Sequence, residues 1–159
     1  MTGNVARLAT VTAVGAATTG GVFFAFSTFV MTGLDRLTAG GSIEAMQAIN
    51  ATAPSAWFMS VLFGTALLAA GLAVWSALHL DGPAAVLRLI GGAVYLVSIL
   101  LTIGYHVPRN EALDRVDPHS ADASARWSSY MTGWSGWNHL RTLSAVAACA
   151  LFVAAVWAD

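Results

Sequence analysis

Four apolar runs of about twenty residues constrain this chain more than any other feature. A helix rising 1.5 Å per residue needs about 20 mostly apolar residues to cross a hydrocarbon core of ~30 Å. Leu8 to Val30 and Trp57 to Leu78 carry no charged side chain. Ala84 to Tyr105 carries only Arg88, and His139 to Ala158 only Arg141, each near the start of its run. Without water, a spanning backbone must satisfy its own hydrogen bonds, which leaves helices and closed barrels. No strand period or barrel repeat is present. The expected fold is therefore an all-α membrane protein: a four-transmembrane-helix up-down bundle with a long, partly helical cap on one side. The first run continues through Phe23, Phe24, Phe26 and Phe29, too long for a secretory signal core. No internal repeat or boundary divides the chain, so residues 1–159 are expected to form one domain.

Composition agrees. Of the 159 residues, 57% are apolar and only 9% charged, against about 25% charged in soluble domains. A disordered tail, a nucleic-acid-binding protein and an ordinary water-soluble enzyme are excluded. The net charge of −1 gives no pull toward nucleic acid or anionic lipid. The single cysteine, Cys149, cannot form an internal disulfide. All seven basic residues are Arg, a usage that fits a GC-rich bacterial genome and hence a bacterial cytoplasmic membrane.

The connection His79 to Pro83 is a tight hairpin, with Gly82 stopping one helix and Pro83 starting the next. The other two connections are long. Met31 to Ala56 holds an expected short helix over Ser42 to Asn50, and Val107 to about Asp122 reads as polar and irregular. By up-down parity these two lie on one side. That side holds Asn50, Asn110 and Asn138, the histidines His106, His119 and His139, and five of the arginines. Any site is expected to open there. Five Arg against two, plus the amino terminus, favours a cytoplasmic long-loop side. Ala13, Ala17 and Gly21, Gly64 and Gly71, and Gly91 and Gly92 are the expected close-packing positions.

The fourth helix is the richest segment. It is expected to start near Asp122, a suitable N-cap, well before the membrane. At 100° per residue Trp127, Tyr130, Trp134, Asn138 and Arg141 share one face, passing from aromatic to amide to guanidinium. An interfacial aromatic belt would explain the rings alone. Polar groups within a span usually face a cavity or a partner, so Asn138 and Arg141 are candidate catalytic residues. His139, about 100° round the helix, is a candidate base contacting a ligand from the side, or else a structural group at the membrane boundary. The third helix is expected to end or kink at Pro108, which frees a carbonyl one turn earlier. His106 and Asn110 flank that break. Ile43, Met46, Gln47 and Asn50 share one face of the short helix.

The segment Trp127 to Thr142, W-S-S-Y-M-T-G-W-S-G-W-N-H-L-R-T, resembles the W…Y…W…N-H-x-R-T signature of the anthrone oxygenase family of small membrane proteins. V-P-R-N-E-A-L (Val107 to Leu113) resembles its V-P-x-N-x-x-L motif. Gly20 to Leu34 resembles its first-helix segment, and Ala45 to Asn50 its loop helix, so the likeness runs over nearly the whole chain. It implies oxidation of anthrones to anthraquinones, as in some fungal relatives. The matching positions are Asn50, Pro108, Asn110, Trp127, Tyr130, Trp134, Asn138, His139, Arg141 and Thr142. His106 lies outside the motif.

No glycine-rich phosphate loop, cysteine cluster or H-E-x-x-H is present, so no cofactor is expected. An anthrone can be its own reductant: loss of a methylene proton gives an electron-rich anion that reacts with O2. Such chemistry needs a base, an oxyanion stabiliser and a dry apolar slot. His139 is the expected base; Arg141 and Asn138 would hold the oxyanion; Asn50, Asn110, His106, Trp127, Tyr130 and Trp134 would bind substrate, the aromatics by stacking. Expected partners are an apolar small molecule arriving from the membrane, O2, the lipid bilayer and, as an open alternative, further copies of the chain. Two other readings stay open: a metal- or haem-binding membrane oxidoreductase using His106, His119 and His139, which lack a metal-specifying spacing, and a non-enzymatic lipid- or quinone-binding protein.

Overall fold

A computed structural model describes residues 2–158. Among them there are helices and turns and no strand. Four rods are long and apolar enough to cross a membrane: Gly3–Leu34, Ala56–Leu78, Pro83–Asp114 and Ala123–Ala158. The first consists of α1 (Thr2–Ala25), a five-residue π-helical segment (Phe26–Val30) and α2 (Met31–Leu34). α3 (Ala39–Thr52) crosses the cap, and α4 (Ala56–Leu78) is the second rod. The third joins α5 (Pro83–Leu101), a second π segment (Thr102–His106) and α6 (Val107–Asp114). α7 (Ala123–Ala158) is the fourth. The second span thus matches expectation to within a residue, and the fourth rod does begin near Asp122. The first and third rods outrun their apolar runs, because polar ends continue the helices beyond lipid depth.

Local chemistry explains the punctuation. Thr38 and Ser55 cap α3 and α4 by accepting hydrogen bonds from the backbone N–H groups of Gly41 and Phe58. Gly82, at φ 134°, makes the hairpin turn that only glycine tolerates, and Pro83 opens α5. Just ahead of α7, Asp122 accepts from Arg126 Nε at 2.7 Å. The neighbouring Ser120, and then the Arg126 guanidinium, hold its carboxyl below the usual range.

Two cores follow. The span core joins Ala9, Ala13, Ala16, Phe23, Leu62, Ala69, Leu72, Tyr95, Ala145, Ala148 and Phe152. The cap core joins Met31, Ile43, Met46, Leu113, Trp127, Tyr130 and Trp134. Gln47 ties the cap down, its Nε2 donating to the Leu113 and Val116 carbonyls at 2.9 Å each. The small-residue expectation holds in part. A Cβ at Gly92 would stand 2.5 Å from the Ala69 carbonyl oxygen, so these rods meet there at glycine distance. Ala17 and Gly21 instead face outward, and nothing packs on Gly64 or Gly71. The face of α1 that packs carries Ala9, Ala13 and Ala16.

The expected break at Pro108 is absent. The proline cannot donate to the Gly104 carbonyl, but the π segment Thr102–His106 widens the turn just before it, and helix continues to Asp114. The stretch expected to be irregular from Val107 is therefore irregular only after Asp114. π turns inside α-helices frequently sit at functional sites. Here two of them, in the first and third rods, supply side chains to one polar cluster on α7.

Candidate functional site

The cluster is built on Asn138 and Arg141, one turn apart on α7 and both buried. Asn138 Oδ1 accepts from Arg141 Nε at 3.1 Å and Nη2 at 2.6 Å. Asn138 Nδ2 donates to the Phe23 carbonyl at 2.9 Å and to Ser27 Oγ, in the first π segment, at 2.8 Å. Ser27 Oγ also lies 2.9 Å from Thr142 Oγ1. The amide thus anchors the guanidinium to the first rod. Arg141 Nη1 reaches Thr102 Oγ1, in the second π segment, at 3.4 Å. The Arg141 Cζ lies 3.9 Å from the Phe23 ring centroid and 5.5 Å from that of Trp134, an arrangement favourable to a cation. Of the five guanidinium N–H groups, two make no hydrogen bond among the described residues. No carboxylate among those residues lies within ion-pair distance. A charged Arg costs up to about 2.5–3.5 kcal/mol at the centre of a span on insertion scales, and less near an end, where Arg141 stands. Amide, hydroxyl and rings offset that cost here without neutralising the charge.

His106, 1% exposed, stands one turn beyond Thr102. Its Nδ1 lies 3.1 Å from the Leu101 carbonyl oxygen. A carbonyl only accepts, so Nδ1 carries the hydrogen, and in the neutral ring Nε2 keeps its lone pair. Nε2 is buried without a hydrogen bond among the described residues. The imidazole meets the Trp134 ring edge-on, centroids 5.0 Å apart.

Asn110 is the third polar group. Its Oδ1 accepts from Tyr130 Oη and from Trp134 Nε1, both at 2.9 Å. Trp127 Nε1 donates to Asp35 at 2.9 Å, and Asn50 Nδ2 donates to Asp114 at 3.0 Å. All three aromatics of the α7 face are thus buried with their polar atoms committed to cap partners. Tyr130 borders a separate hollow against Leu113 and Val116, whereas Trp134 lines the hollow beside Arg141.

That hollow is a cavity of about 200 Å³ between the first three rods, α3 and α7. Its walls are mainly apolar, with Phe23, Phe26, Met59 and Leu62 among them, and its polar lining is Asn50, Thr102, His106, Asn110 and Arg141. Asn138 stands behind Arg141 as its anchor. His139 is exposed on the outer face of α7 and does not line the cavity. One residue's rotation from Asn138 carries it out of the bundle, so the base expected there is not at this site. Trp127 and Tyr130 likewise offer no stacking surface to the cavity. The three histidines of this side do not converge: His119 lies 3.5 Å from Glu44 at the surface, and no group of three or more His, Cys, Asp or Glu gathers among the described residues.

The N-H-x-R element on α7 thus buries its Asn138 and Arg141 and leaves His139 outside. The anthrone oxygenase family model matches residues 55–151, more than half of the chain. The chain belongs to the anthrone oxygenase family. No curated protein and no solved structure matches it. The matched segment carries α4, α5, the second π segment, α6 and most of α7, so it contains Thr102, His106, Asn110, Trp134, Asn138 and Arg141. Phe23, Ser27 and Asn50 lie before it. As a family member with four apolar rods, the chain is a membrane oxygenase-like protein.

Sequence reasoning missed Thr102, Ser27 and the Phe23 ring as parts of the site. For Thr102 a signal existed: 102, 106 and 110 recur every four residues, so three polar side chains line one face of the third rod. Ser27 and Phe23 gave no such sign, being one hydroxyl and one ring in an apolar run.

Proposed function

We propose that this protein is a membrane oxygenase that deprotonates a flat, apolar aromatic ketone with an acidic methylene, anthrone-like in kind, and lets the resulting anion react with O2. The observation that carries this reading is Arg141: a buried guanidinium that, among the described residues, has no carboxylate partner and two unused N–H groups, and that forms one wall of an apolar cavity. Such a group favours a ligand that becomes negative once inside.

His106, rather than His139, is the base in this reading. Nε2 takes a proton from the methylene. The electron pair moves onto the carbonyl oxygen, where Arg141 holds it. The anion passes one electron to O2, and the radical pair closes a carbon–oxygen bond. The peroxide takes the proton back from His106. Loss of the second methylene proton with O–O cleavage releases water and leaves a ketone. One CH2 and one O2 become one C=O and one H2O, so the substrate supplies all four electrons. Asn138 positions Arg141, and the apolar walls keep out water that would quench the anion. The cavity is smaller than the ~300 Å³ usual for ligand pockets, which favours a compact, planar substrate without bulky substituents.

The test is oxygen uptake and quinone formation with anthrone by purified protein, with metal content measured on the same sample. His106→Ala should lower the rate at least ~100-fold, and His139→Ala less than twofold. Loss of activity in His139→Ala alone would return the base to that residue. Activity that tracks a bound metal would favour the metal-dependent alternative, and binding without turnover the carrier reading.

A further inference from the structure

The walls of the cap-end cavity also show where it opens, an inference that rests on the proposed reading only in taking that cavity as the ligand site. Six of its lining residues are exposed: Val22, Ala53, Pro54, Phe63, Ile103 and Val107. All six are apolar, whereas the polar lining is buried or half-buried. The hollow therefore reaches the protein surface past apolar side chains alone. Such a rim lets an aromatic ring enter without stripping water from a polar group, and offers water no partner.

The packing of α4 places the opening. This helix packs against α1 and α5, with no comparable packing on either π segment. Ala56 to Val61, its cap-end turns, include no buried residue. The lining residues α4 contributes are Phe58, Met59, Leu62 and Phe63. Thr65 faces α1, where a Cβ on Gly15 would meet its hydroxyl, and Ala73 faces α5 at Gly92. At 100° per residue, Met59 and Phe63 fall within about 80° of Ala73 and about 120° or more from Thr65. They therefore stand on the side of α4 that faces the third rod. Val61 and Gly64, on the α1 side, do not line the cavity. Across the slot stand Ile103 and Val107, one turn apart on the third rod. Ile103 is 54% exposed, and Val107 and Phe63 are each 43% exposed. Phe63 lies about 9 Å along α4 from Trp57, which is 87% exposed and suits a ring at the membrane interface. The slot thus lies below that interface, at hydrocarbon depth.

We propose that the slot between α4 and the third rod, flanked by Met59, Phe63, Ile103 and Val107, is the passage through which a flat apolar ligand dissolved in the bilayer reaches the cavity. Phe63 and Ile103 set its width. A constriction raises the barrier to entry and exit alike, so a residue of the passage changes both rates and leaves Kd as it was. A residue that contacts bound ligand acts mainly on the rate of departure.

The test uses anthracene, a flat ring system without oxygen, and full-length protein in phosphatidylcholine vesicles. Entry is followed by stopped-flow mixing and anthracene fluorescence anisotropy, and exit by dilution into excess empty vesicles. Ile103→Trp should slow both rates about tenfold with Kd within twofold. Phe63→Ala should speed both, and it decides the matter if the tryptophan variant does not fold; retained anthracene affinity reports folding in each. Val22→Trp and Ala53→Trp, at the other exposed parts of the lining, should change the rates less than twofold. Slowing by Val22→Trp or Ala53→Trp in place of Ile103→Trp overturns the proposal. So does a shift in Kd without a matched change in both rates, a Phe63→Ala variant no faster than wild type, or the absence of anthracene binding by wild type. Nothing turns over in this assay, so failure of the oxygenase reading shows separately, as wild-type entry of anthracene without oxygen uptake from anthrone.

Discussion

The bundle has a hollow at each end, and the two differ in what converges on them. At the hairpin end, a groove of about 450 Å³ lies between α1 and α4, lined by Asn4, Val5, Leu8, Leu67, Leu68, Gly71, Leu72 and Trp75. At the cap end, the cavity is less than half that volume but gathers a guanidinium, an imidazole, two amides and a hydroxyl. Volume alone would point to the hairpin end. A groove between apolar helices is what any lipid-facing surface leaves where side chains are small. Buried polar groups at membrane depth are costly, and persist where they have partners or a task. The cap end carries several that are only partly satisfied, whereas the polar lining of the hairpin groove among the described residues is the exposed Asn4.

That contrast can be broken by mutation. The largest effect is expected from His106→Ala, at least ~100-fold in turnover if it is the base, against less than twofold for His139→Ala. Arg141→Met comes next. It should cost about 10²–10³ in rate, the usual loss for one oxyanion donor. Its effect on stability should stay within about 1–3 kcal/mol, because removal of a desolvated charge is set against the loss of both donors to buried Asn138 Oδ1; a thermal melt checks this. Asn138→Ala should lower activity about tenfold and stability by about 1–3 kcal/mol, since the Ser27 hydroxyl, the Phe23 carbonyl and Arg141 each lose a partner. Smallest is Leu68→Phe, which fills the hairpin groove and should leave turnover within twofold. A strong loss there would make the hairpin end part of the site.

The two ends also differ in how far the sequence revealed them. The spans, the hairpin at Gly82 and Pro83, and the early start of α7 are written in long apolar runs and in Gly and Pro, signals that act over a turn or two. The face shared by Trp127, Tyr130, Trp134, Asn138 and Arg141 is legible for the same reason, being a single helical period, and all five are buried. What that face does was not legible. The aromatics read as a stacking surface because their partners, Asp35 and Asn110, lie on other rods. His139 read as a base because a ring 100° round the helix from Asn138 was expected to reach a ligand from the side; that side of α7 is exposed and lines no part of the cavity. Pro108 read as an end or kink because it cannot donate and frees a carbonyl one turn earlier; the π turn that accommodates it leaves no residue signature. Ser27 and Phe23 belong to the site only through tertiary contact with α7, and no periodicity in α1 distinguishes them.

The central claim is that the cap-end cavity holds its ligand as an anion against Arg141. Anaerobic absorbance of anthrone bound to the protein tests this most directly, because the enolate absorbs at longer wavelength than the neutral ketone. The account predicts the anion spectrum with wild type, and the neutral spectrum with Arg141→Met at equal occupancy. A neutral spectrum with wild type, or an anion spectrum that survives the loss of Arg141, would contradict it.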